Sequence, residues 1–144
     1  HELLLMQKQL KAYSHNTKYN ALQLNPEHHE LGVITTGLAK NYYLENLPEL
    51  KEKPSYLHVS AYPFPTEKIR QLAGHVQKII VLEEGYPFLE RFLRGLIPPD
   101  LLIEGKLGGE VPAEGELNPD NIRPVLGLGA RRGSARPGLN LAGR

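Results

Sequence analysis

The chain has 144 residues, of which 40% are hydrophobic and 23% charged, so it fits one globular domain of ordinary size and is not broadly disordered. Its 17 Lys and Arg residues against 16 Asp and Glu give a net charge of +1, too small to favour nucleic acid or a membrane surface as the main partner. The absence of Cys excludes disulfides, thiolate metal sites and Cys-ligated iron–sulfur clusters; with no long apolar run, it predicts a cytoplasmic protein.

The N-terminal stretch predicts a lead-in helix followed by a short strand. Apolar residues recur at spacings of three and four between His1 and Tyr13, which is typical of an amphipathic helix. Lys18 to Leu24 then reads as an edge strand. The first residue is His rather than Met, which suggests a fragment of a longer protein.

The middle of the chain alternates strands and helices with short connections. Continuous apolar or β-branched runs predict three strands, and apolar residues at helical spacing follow each of them. This pattern is typical of a parallel sheet with right-handed crossovers. The strands are predicted at Leu31–Thr36, Ser55–Ser60 and Ile79–Glu83, and the helices at Leu38–Leu47, Thr66–Val76 and Pro87–Leu96.

The C-terminal part is predicted to hold one more strand, a loop and a short helix. Leu101–Glu104 reads as the strand, and the Gly-rich stretch Gly105–Glu116 reads as the loop. Asn118 with Pro119 and Asp120 is a helix-start signal, which predicts a helix towards Leu126. The domain limits predicted are 1–17 for the lead-in helix, 18–128 for the α/β domain and 129–144 for a linker or disordered tail.

The stretch from Gln77 to Leu96 contains the most distinctive polar cluster. Glu83, Glu84 and Tyr86 follow an apolar strand, at the sheet edge where open α/β folds meet ligands and partners. Two adjacent carboxylates could act as acid and base, but successive strand residues point to opposite faces and are poorly placed to share a proton. Capping of the following helix, or contact with a neighbouring domain, is therefore favoured.

Three other features of the sequence could form a binding site. Thr36-Gly37 is a strand-to-helix turn that could hold a phosphate, but it lacks the glycine spacing of a dinucleotide site and the Lys of a P-loop. The histidines include no helical i, i+4 zinc pair, and the tail arginines have no interleaved aromatics. The alternatives left open are a flavodoxin-like domain that binds a small molecule or phosphate, and a nucleic-acid accessory domain. The histidines of this group are His28, His29, His58 and His75, and the tail arginines are Arg131, Arg132 and Arg136.

Four motifs in order resemble one protein family. They are Tyr62–Pro65 ("YPFP"), Val81–Phe88 ("VLEEGYPF"), Gly105–Gly109 ("GKLGG") and Gly115–Asp120 ("GELNPD"). Together they resemble the second domain of the alpha subunit of indolepyruvate ferredoxin oxidoreductases, and more broadly the matching domain of 2-oxoacid:ferredoxin oxidoreductases. The likeness covers about residues 1 to 128.

The resemblance implies a transketolase C-terminal-like fold: three α/β/α layers with a mostly parallel five-stranded sheet whose first strand is antiparallel. It also implies a full-length oxidoreductase that decarboxylates aryl pyruvates to acyl-CoA and reduces ferredoxin. That enzyme would use thiamine diphosphate, Mg²⁺ and iron–sulfur clusters. Its partners would be the thiamine-binding domains missing here, a smaller second subunit, ferredoxin and coenzyme A.

The chain departs from that family where the cofactors are bound. It has no Cys, no acidic motif for the diphosphate metal and no upstream domain, so no catalytic, cofactor-binding or metal residue carries over. The expectation is a non-catalytic structural domain, inactive alone, with no cofactor in this fragment and no nucleic acid or membrane partner. The residues predicted for a domain interface are Glu83, Glu84, Tyr86, Pro87 and Phe88.

Overall fold

The computed structural model describes residues 20–131. The predicted lead-in helix and all but the first few residues of the predicted tail lie outside this range. In chain order the elements are β1 (Leu22–Gln23), β2 (Leu31–Thr36), α1 (Ala39–Asn46), a 3₁₀ turn (Leu47–Glu49), β3 (Ser55–Val59), α2 (Thr66–His75), β4 (Lys78–Leu82), α3 (Phe88–Leu96) and β5 (Leu102–Glu104).

These strands form one five-stranded sheet in the order β1-β3-β2-β4-β5. Strands β2 to β5 are parallel, and β1 pairs antiparallel with β3, with Leu22 opposite Leu57. The predicted α/β fold with a mostly parallel five-stranded sheet is confirmed, and so is the antiparallel first strand. The chain leaves β2 for β3 on one side and returns past β2 to β4, so the topological switch point lies between β2 and β4.

One face of the sheet is covered by two helices, and we call it the helical face. Strand residues pack there against apolar side chains of α2 and α3, as alternation along a strand dictates. Gly32 lets α2 lie close to β2, because a Cβ on it would come within 2.9 Å of the Leu72 side chain. The main members of this cluster are Ile34, Leu57, Ile79, Val81, Ile69, Leu72, Leu89 and Leu93.

The opposite face is covered by α1 and by the segment after β5, and we call it the turn face. Strand β4 supplies buried residues to both faces, which explains why it reads as continuously apolar. Residues 105–128 contribute apolar side chains without forming a helix or strand. The main members of this cluster are Val33, Tyr56, Ile80, Leu82, Ala39, Tyr43, Val111, Leu117, Ile122 and Leu126.

The predicted helix from Asn118 towards Leu126 is wrong, since this stretch forms successive turns. The start signal itself works, because the Asn118 side chain accepts hydrogen bonds from the N–H groups of Asp120 and Asn121. The helix does not continue because Pro124 has no N–H to donate to the preceding turn. Four-residue turns follow instead, such as the one closed by the bond from the Gly127 N–H to the Pro124 carbonyl.

A polar cluster holds this turn segment on α1 and the 3₁₀ turn; we call Asn46, Glu49 and Arg123 the Arg123 clamp. The Arg123 guanidinium, only 5% exposed, donates to both carboxylate oxygens of Glu49 at 2.9 Å and to the Asn46 side chain at 2.8 Å. The Asn46 amide donates to the Pro119 carbonyl at 2.7 Å. The hydrogen bonds that Arg123 donates to the Glu49 carboxylate hold the pKa of Glu49 below its usual range.

The helix limits agree with the sequence to within one or two residues. Thr66 is the first residue of α2, as predicted, and Pro65 takes the N-cap position. Pro87 takes the same position before α3. None of the helices in residues 20–131 combines the length and apolarity that crossing a membrane requires.

Candidate functional site at the carboxyl edge of the sheet

The four parallel strands end at one edge, and the connections that follow them gather there. At the switch point, the Glu84 N–H donates to the Thr36 hydroxyl at 3.2 Å. Gly37 has a φ of +56°, and a Cβ placed on it would lie 3.3 Å from Cγ of Glu84. The Glu84 side chain therefore packs against the turn that would hold a phosphate, and its carboxylate opposes an anion there.

Glu83 points the other way, into the protein. It is 4% exposed, and its carboxylate accepts the N–H groups of Leu89 at 2.6 Å and Glu90 at 3.2 Å. Burial raises the pKa of Glu83, against the lowering effects of those N–H groups and of Lys106. The predicted capping of the following helix is confirmed, and the two adjacent carboxylates do not share a proton site.

The connection after β5 is tied to the start of α3 by a second buried polar group. The Lys106 ammonium donates to the Gly85 carbonyl at 2.5 Å, and the Glu90 carboxylate accepts the Leu107 N–H at 3.1 Å. Glu90 is 1% exposed and pairs with Arg94 at 2.8 Å. A Cβ on Gly105 would overlap the Glu90 carboxylate, so each residue of the Gly-Lys-Leu motif has a structural role here.

Exposed large apolar side chains follow all four parallel strands, and we call this set the apolar rim. Leu38 comes after β2, Tyr62 after β3, Tyr86 and Phe88 after β4, and Leu107 after β5. Their exposed fractions run from 44% for Leu107 to 81% for Tyr62. A concentration of exposed apolar residues on one edge is typical of an interaction surface.

Neighbouring side chains hold the aromatic residues of the rim in place. The Tyr86 and Phe88 rings lie 4.5 Å apart, and the Arg91 guanidinium donates to the Tyr86 hydroxyl at 2.6 Å. Tyr62 meets the ring of Phe64 edge-on at 5.7 Å, and Phe64 in turn lies 5.1 Å from Phe92. Side chains that are already ordered lose little conformational entropy when a partner covers them.

The five residues predicted for an interface thus have different environments. Tyr86 and Phe88 are exposed, Glu84 and Pro87 are half-buried, and Glu83 is buried beneath them as a helix cap. Their contact with another domain stays a prediction. Sequence reasoning missed Leu38, Tyr62 and Leu107, although each is the first exposed large apolar residue after a parallel strand.

Three of the predicted histidines come together at the opposite edge, where their nitrogens have other partners. The His29 and His75 ring centroids lie 4.2 Å apart, and the His75 Nε2 lies 2.7 Å from the Asn25 carbonyl. His28 accepts the Leu31 N–H at one nitrogen and faces Glu52 with the other. Within residues 20–131, no group of three or more metal-ligating side chains is placed to hold a metal ion.

Of the tail arginines, Arg131 alone falls in the described range, and it lies on the domain. Its guanidinium pairs with Glu45 at 3.0 Å and with Glu49 at 3.6 Å. Arg132 and Arg136 lie outside the described residues. The ion pairs of Arg131 weaken the case for a phosphate-binding tail.

The chain is similar to three curated proteins named indolepyruvate oxidoreductase subunit IorA. It is 29% identical over 123 residues to the protein of Methanothermobacter thermautotrophicus, 26% over 129 residues to that of Methanothermobacter marburgensis and 31% over 90 residues to that of Archaeoglobus fulgidus. These alignments cover 83%, 87% and 62% of this chain. The resemblance read from the motifs is confirmed as a match to part of such a subunit.

The chain spans 20%, 21% and 14% of the length of these relatives, in the same order. No protein-family model matches the sequence, and no solved structure matches it. The similarity is therefore to a domain-sized part of these subunits.

Proposed function

We propose that this chain is a structural, non-catalytic domain of an indolepyruvate oxidoreductase subunit, and that its apolar rim packs against a neighbouring domain of that subunit. The observation that carries the proposal is the rim itself, which presents apolar side chains from the connections after all four parallel strands. The relatives are about five times as long as the aligned stretch, so a subunit of this kind has further domains to cover it.

The energetics favour a covered rim. Phe88 is 64% exposed and Tyr62 81% exposed, and full burial of an aromatic side chain of this size is worth about 1.5–3 kcal/mol. Beneath the rim, Glu83 and Lys106 fix the two connections that carry Tyr86, Phe88 and Leu107. The buried polar groups thus support this surface from beneath.

The whole subunit, by this proposal, belongs to an enzyme that oxidatively decarboxylates aryl pyruvates to acyl-CoA with thiamine diphosphate and passes electrons to ferredoxin. The residues of this chain do not fit the cofactors. Thiolate ligation of an iron–sulfur cluster needs Cys, which the chain lacks, and residues 20–131 contain no acidic cluster for the Mg²⁺ of a diphosphate. Those groups would be held by other domains, and the smaller second subunit would complete the complex.

The proposal is tested by Phe88→Ser and Tyr62→Ser in the full-length subunit and in the 144-residue chain. Both side chains are mostly exposed here, so the isolated chain should keep its melting temperature, whereas the full-length subunit should melt earlier and become more sensitive to proteolysis. Leu24→Ser and Leu102→Ser are matched controls, because these side chains are exposed (41% and 55%) but lie outside the rim.

Two results would contradict the proposal. One is a full-length subunit whose melting and proteolysis are unchanged by both rim substitutions. The other is measurable turnover of indolepyruvate by the 144-residue chain alone, which would show that this domain is catalytic.

Glu84→Gln in the full-length enzyme should weaken assembly with little effect on the chemical step.

A further inference from the structure

A cleft of about 350 Å³ opens on the turn face, between α1 and the outer strands β1 and β3. Its size falls at the lower end of the range for small-molecule pockets. It is separate from the apolar rim, since its walls come from α1, from β3 and from the residues around β1. Within the described part of the chain, α1 packs on β2 and β3 but leaves this corner of the sheet uncovered.

The charges around the cleft have one sign. Lys40, Lys53 and His58 contribute to its walls, and no Asp or Glu among residues 20–131 does. Burial and the nearby Lys40 ammonium lower the pKa of His58, so the imidazole is neutral at neutral pH and the two ammonium groups set the field. A cleft lined by one sign of charge attracts ligands of the opposite sign.

The inner wall is apolar and includes two buried tyrosines. The rings of Tyr43 and Tyr56 lie 4.8 Å apart at 22°, close to parallel, and Leu44 and Leu47 add apolar surface. The Tyr43 hydroxyl is buried and has no hydrogen-bond partner in the described part of the chain. A buried hydroxyl without a partner is uncommon, and this one lies behind the surface of the cleft, since Tyr43 is 1% exposed.

A hydrogen-bonded chain fixes the polar end of the cleft. The Thr35 hydroxyl lies 2.6 Å from the Tyr56 hydroxyl and 2.8 Å from Nδ1 of His58. The Thr35 hydroxyl has one hydrogen, so it can donate to only one of them. If Thr35 donates to His58, the imidazole keeps a hydrogen on Nε2; if it donates to Tyr56, the phenol keeps its own. Each of these two arrangements leaves a hydrogen-bond donor on a residue that lines the cleft, whereas a third, in which Thr35 accepts from both neighbours, leaves none.

A larger cavity of about 590 Å³ lies between the C-terminal ends of α2 and α3, but its chemistry is less specific. It carries both signs of charge, from Arg70 and Asp100, and Arg70 already has a carboxylate within 3.5 Å in Glu67. Among residues 20–131, its lining includes no aromatic side chain. The smaller cleft therefore has the better-defined ligand chemistry.

We propose that the cleft between α1 and β3 binds a small organic anion with a flat apolar body, whose negative group lies near Lys40 and His58 and whose ring lies against the apolar wall of Leu44, Leu47 and Tyr56. This site is independent of the interface role proposed above. Ligand binding in the cleft does not depend on a partner domain at the apolar rim, and contact at the rim does not depend on a ligand in the cleft.

Benzoate is a suitable probe, with benzamide as the neutral isostere and acetate as the anion without a ring. Titration of the isotope-labelled chain by NMR should shift the amide signals of Lys40, Leu44 and His58 with benzoate, and much less with either control. Lys40→Gln should weaken benzoate binding about fivefold, as expected for loss of a partly exposed ion pair. Lys51→Gln is the matched control, since it removes the same charge from a nearby exposed residue that does not line the cleft.

His58→Gln provides a second variant that keeps a hydrogen-bonding side chain but removes the imidazole, and it should also weaken benzoate binding. Three outcomes would overturn the proposal: no benzoate-dependent shifts in the folded chain, equal binding of benzamide, or an equal loss of affinity in Lys40→Gln and Lys51→Gln. The last would show that the anion follows net charge and does not occupy this cleft.

Discussion

The two faces of the sheet are covered by different kinds of interaction. On the helical face, α2 and α3 bury side chains such as Leu72 and Leu89 in a continuous apolar cluster. On the turn face, residues 105–128 cover the sheet without a helix or strand, and the Arg123 clamp holds them to Asn46 and Glu49. The helices on the helical face are therefore positioned by packing. The segment on the turn face is positioned by directed hydrogen bonds in addition to packing.

This difference has consequences for stability. Apolar packing is non-directional and shared among many neighbours, so its loss is felt by the whole domain. The clamp contacts few elements, and Glu49 is 45% exposed, so water can replace part of what the clamp loses. We therefore expect damage to the helical face to cause global unfolding and damage to the clamp to release the turn segment locally.

Leu72→Ala should have the largest effect. Leu72 is fully buried between α2 and the sheet, and truncation of a buried Leu costs about 3 kcal/mol through lost burial and the cavity left behind. Denaturant unfolding should show a lower free energy of unfolding with an unchanged slope. Leu102→Ala is the control, because its side chain is 55% exposed. A local opening of α2 with unchanged global stability would contradict the contrast between the faces.

Gly32→Ala should be the next most damaging change, because it adds one methyl group at the same contact. The new Cβ would lie 2.9 Å from Leu72 Cδ1 and 3.2 Å from Val76 Cγ2, and overpacking of this kind costs about 1–3 kcal/mol. Thermal unfolding should show a lower melting temperature for Gly32→Ala than for the wild type. The same Gly32→Ala change should lower the melting temperature less when it is made in a Leu72→Val background, because the shorter side chain makes room for the new Cβ. Gly95→Ala is the control, since nothing lies within 4 Å of its added Cβ and Ala favours a helix.

Arg123→Met should act locally on the turn face. Removal of the guanidinium leaves the Asn46 side-chain oxygen and the Glu49 carboxylate without the bonds it donates, and frees the turn segment from α1. Amide hydrogen exchange should become faster at Leu126, Gly127 and Leu128, whose N–H groups bond within these turns, while amides of β2 and β4 keep their protection. Arg70→Met, at an exposed pair with Glu67, should change neither set. Equal loss of protection in both sets would mean that the clamp is part of the global core.

The same contrast explains how much could be predicted from the sequence. The strands and helices of the helical face follow from periodicity because their apolar residues are neighbours along the chain. The cap by Glu83 could be predicted because its partners lie six and seven residues away. The turn segment could not, because Arg123 meets Glu49 across 74 residues and no local pattern announces that pair.

The candidate sites, like the fold, could be predicted only where the residues concerned are close together along the chain. Tyr86 and Phe88 belong to a recognisable motif, whereas the bond from Lys106 to Gly85 depends on how the connections after β4 and β5 are placed side by side. The chain of Thr35, Tyr56 and His58 likewise depends on the register that sets Thr35 opposite His58. Alternation places Tyr56 and His58 on one face of β3, but it does not say which residue of β2 lies between them.

Glu83→Gln should have the smallest effect, and one that depends on pH. Burial raises the pKa of Glu83 above its ordinary 4.5, so the folded protein binds this proton more tightly than the unfolded chain does. The stability that protonation contributes is therefore present below pH 4.5 and is lost as the pH rises through the folded-state pKa. Gln cannot ionise, so the wild type should gain stability relative to Glu83→Gln as the pH falls from 7 towards 4.5. Other carboxylates titrate in both proteins and largely cancel in this difference.

At neutral pH the two contributions of Glu83 oppose each other. Gln can accept the N–H of Leu89 or that of Glu90 with its single carbonyl oxygen, which weakens the cap, but it removes the cost of a buried charge. Thermal unfolding of both proteins at several pH values measures the balance, with Leu102→Ala as a variant whose difference from the wild type should not vary with pH. A difference between wild type and Glu83→Gln that is constant from pH 7 to 4.5 would show that this carboxylate ionises as freely in the folded protein as in the unfolded chain. The cap would then be stabilised by its hydrogen bonds alone, and the buried edge beneath the apolar rim would be as tolerant of charge as the half-exposed clamp on the turn face.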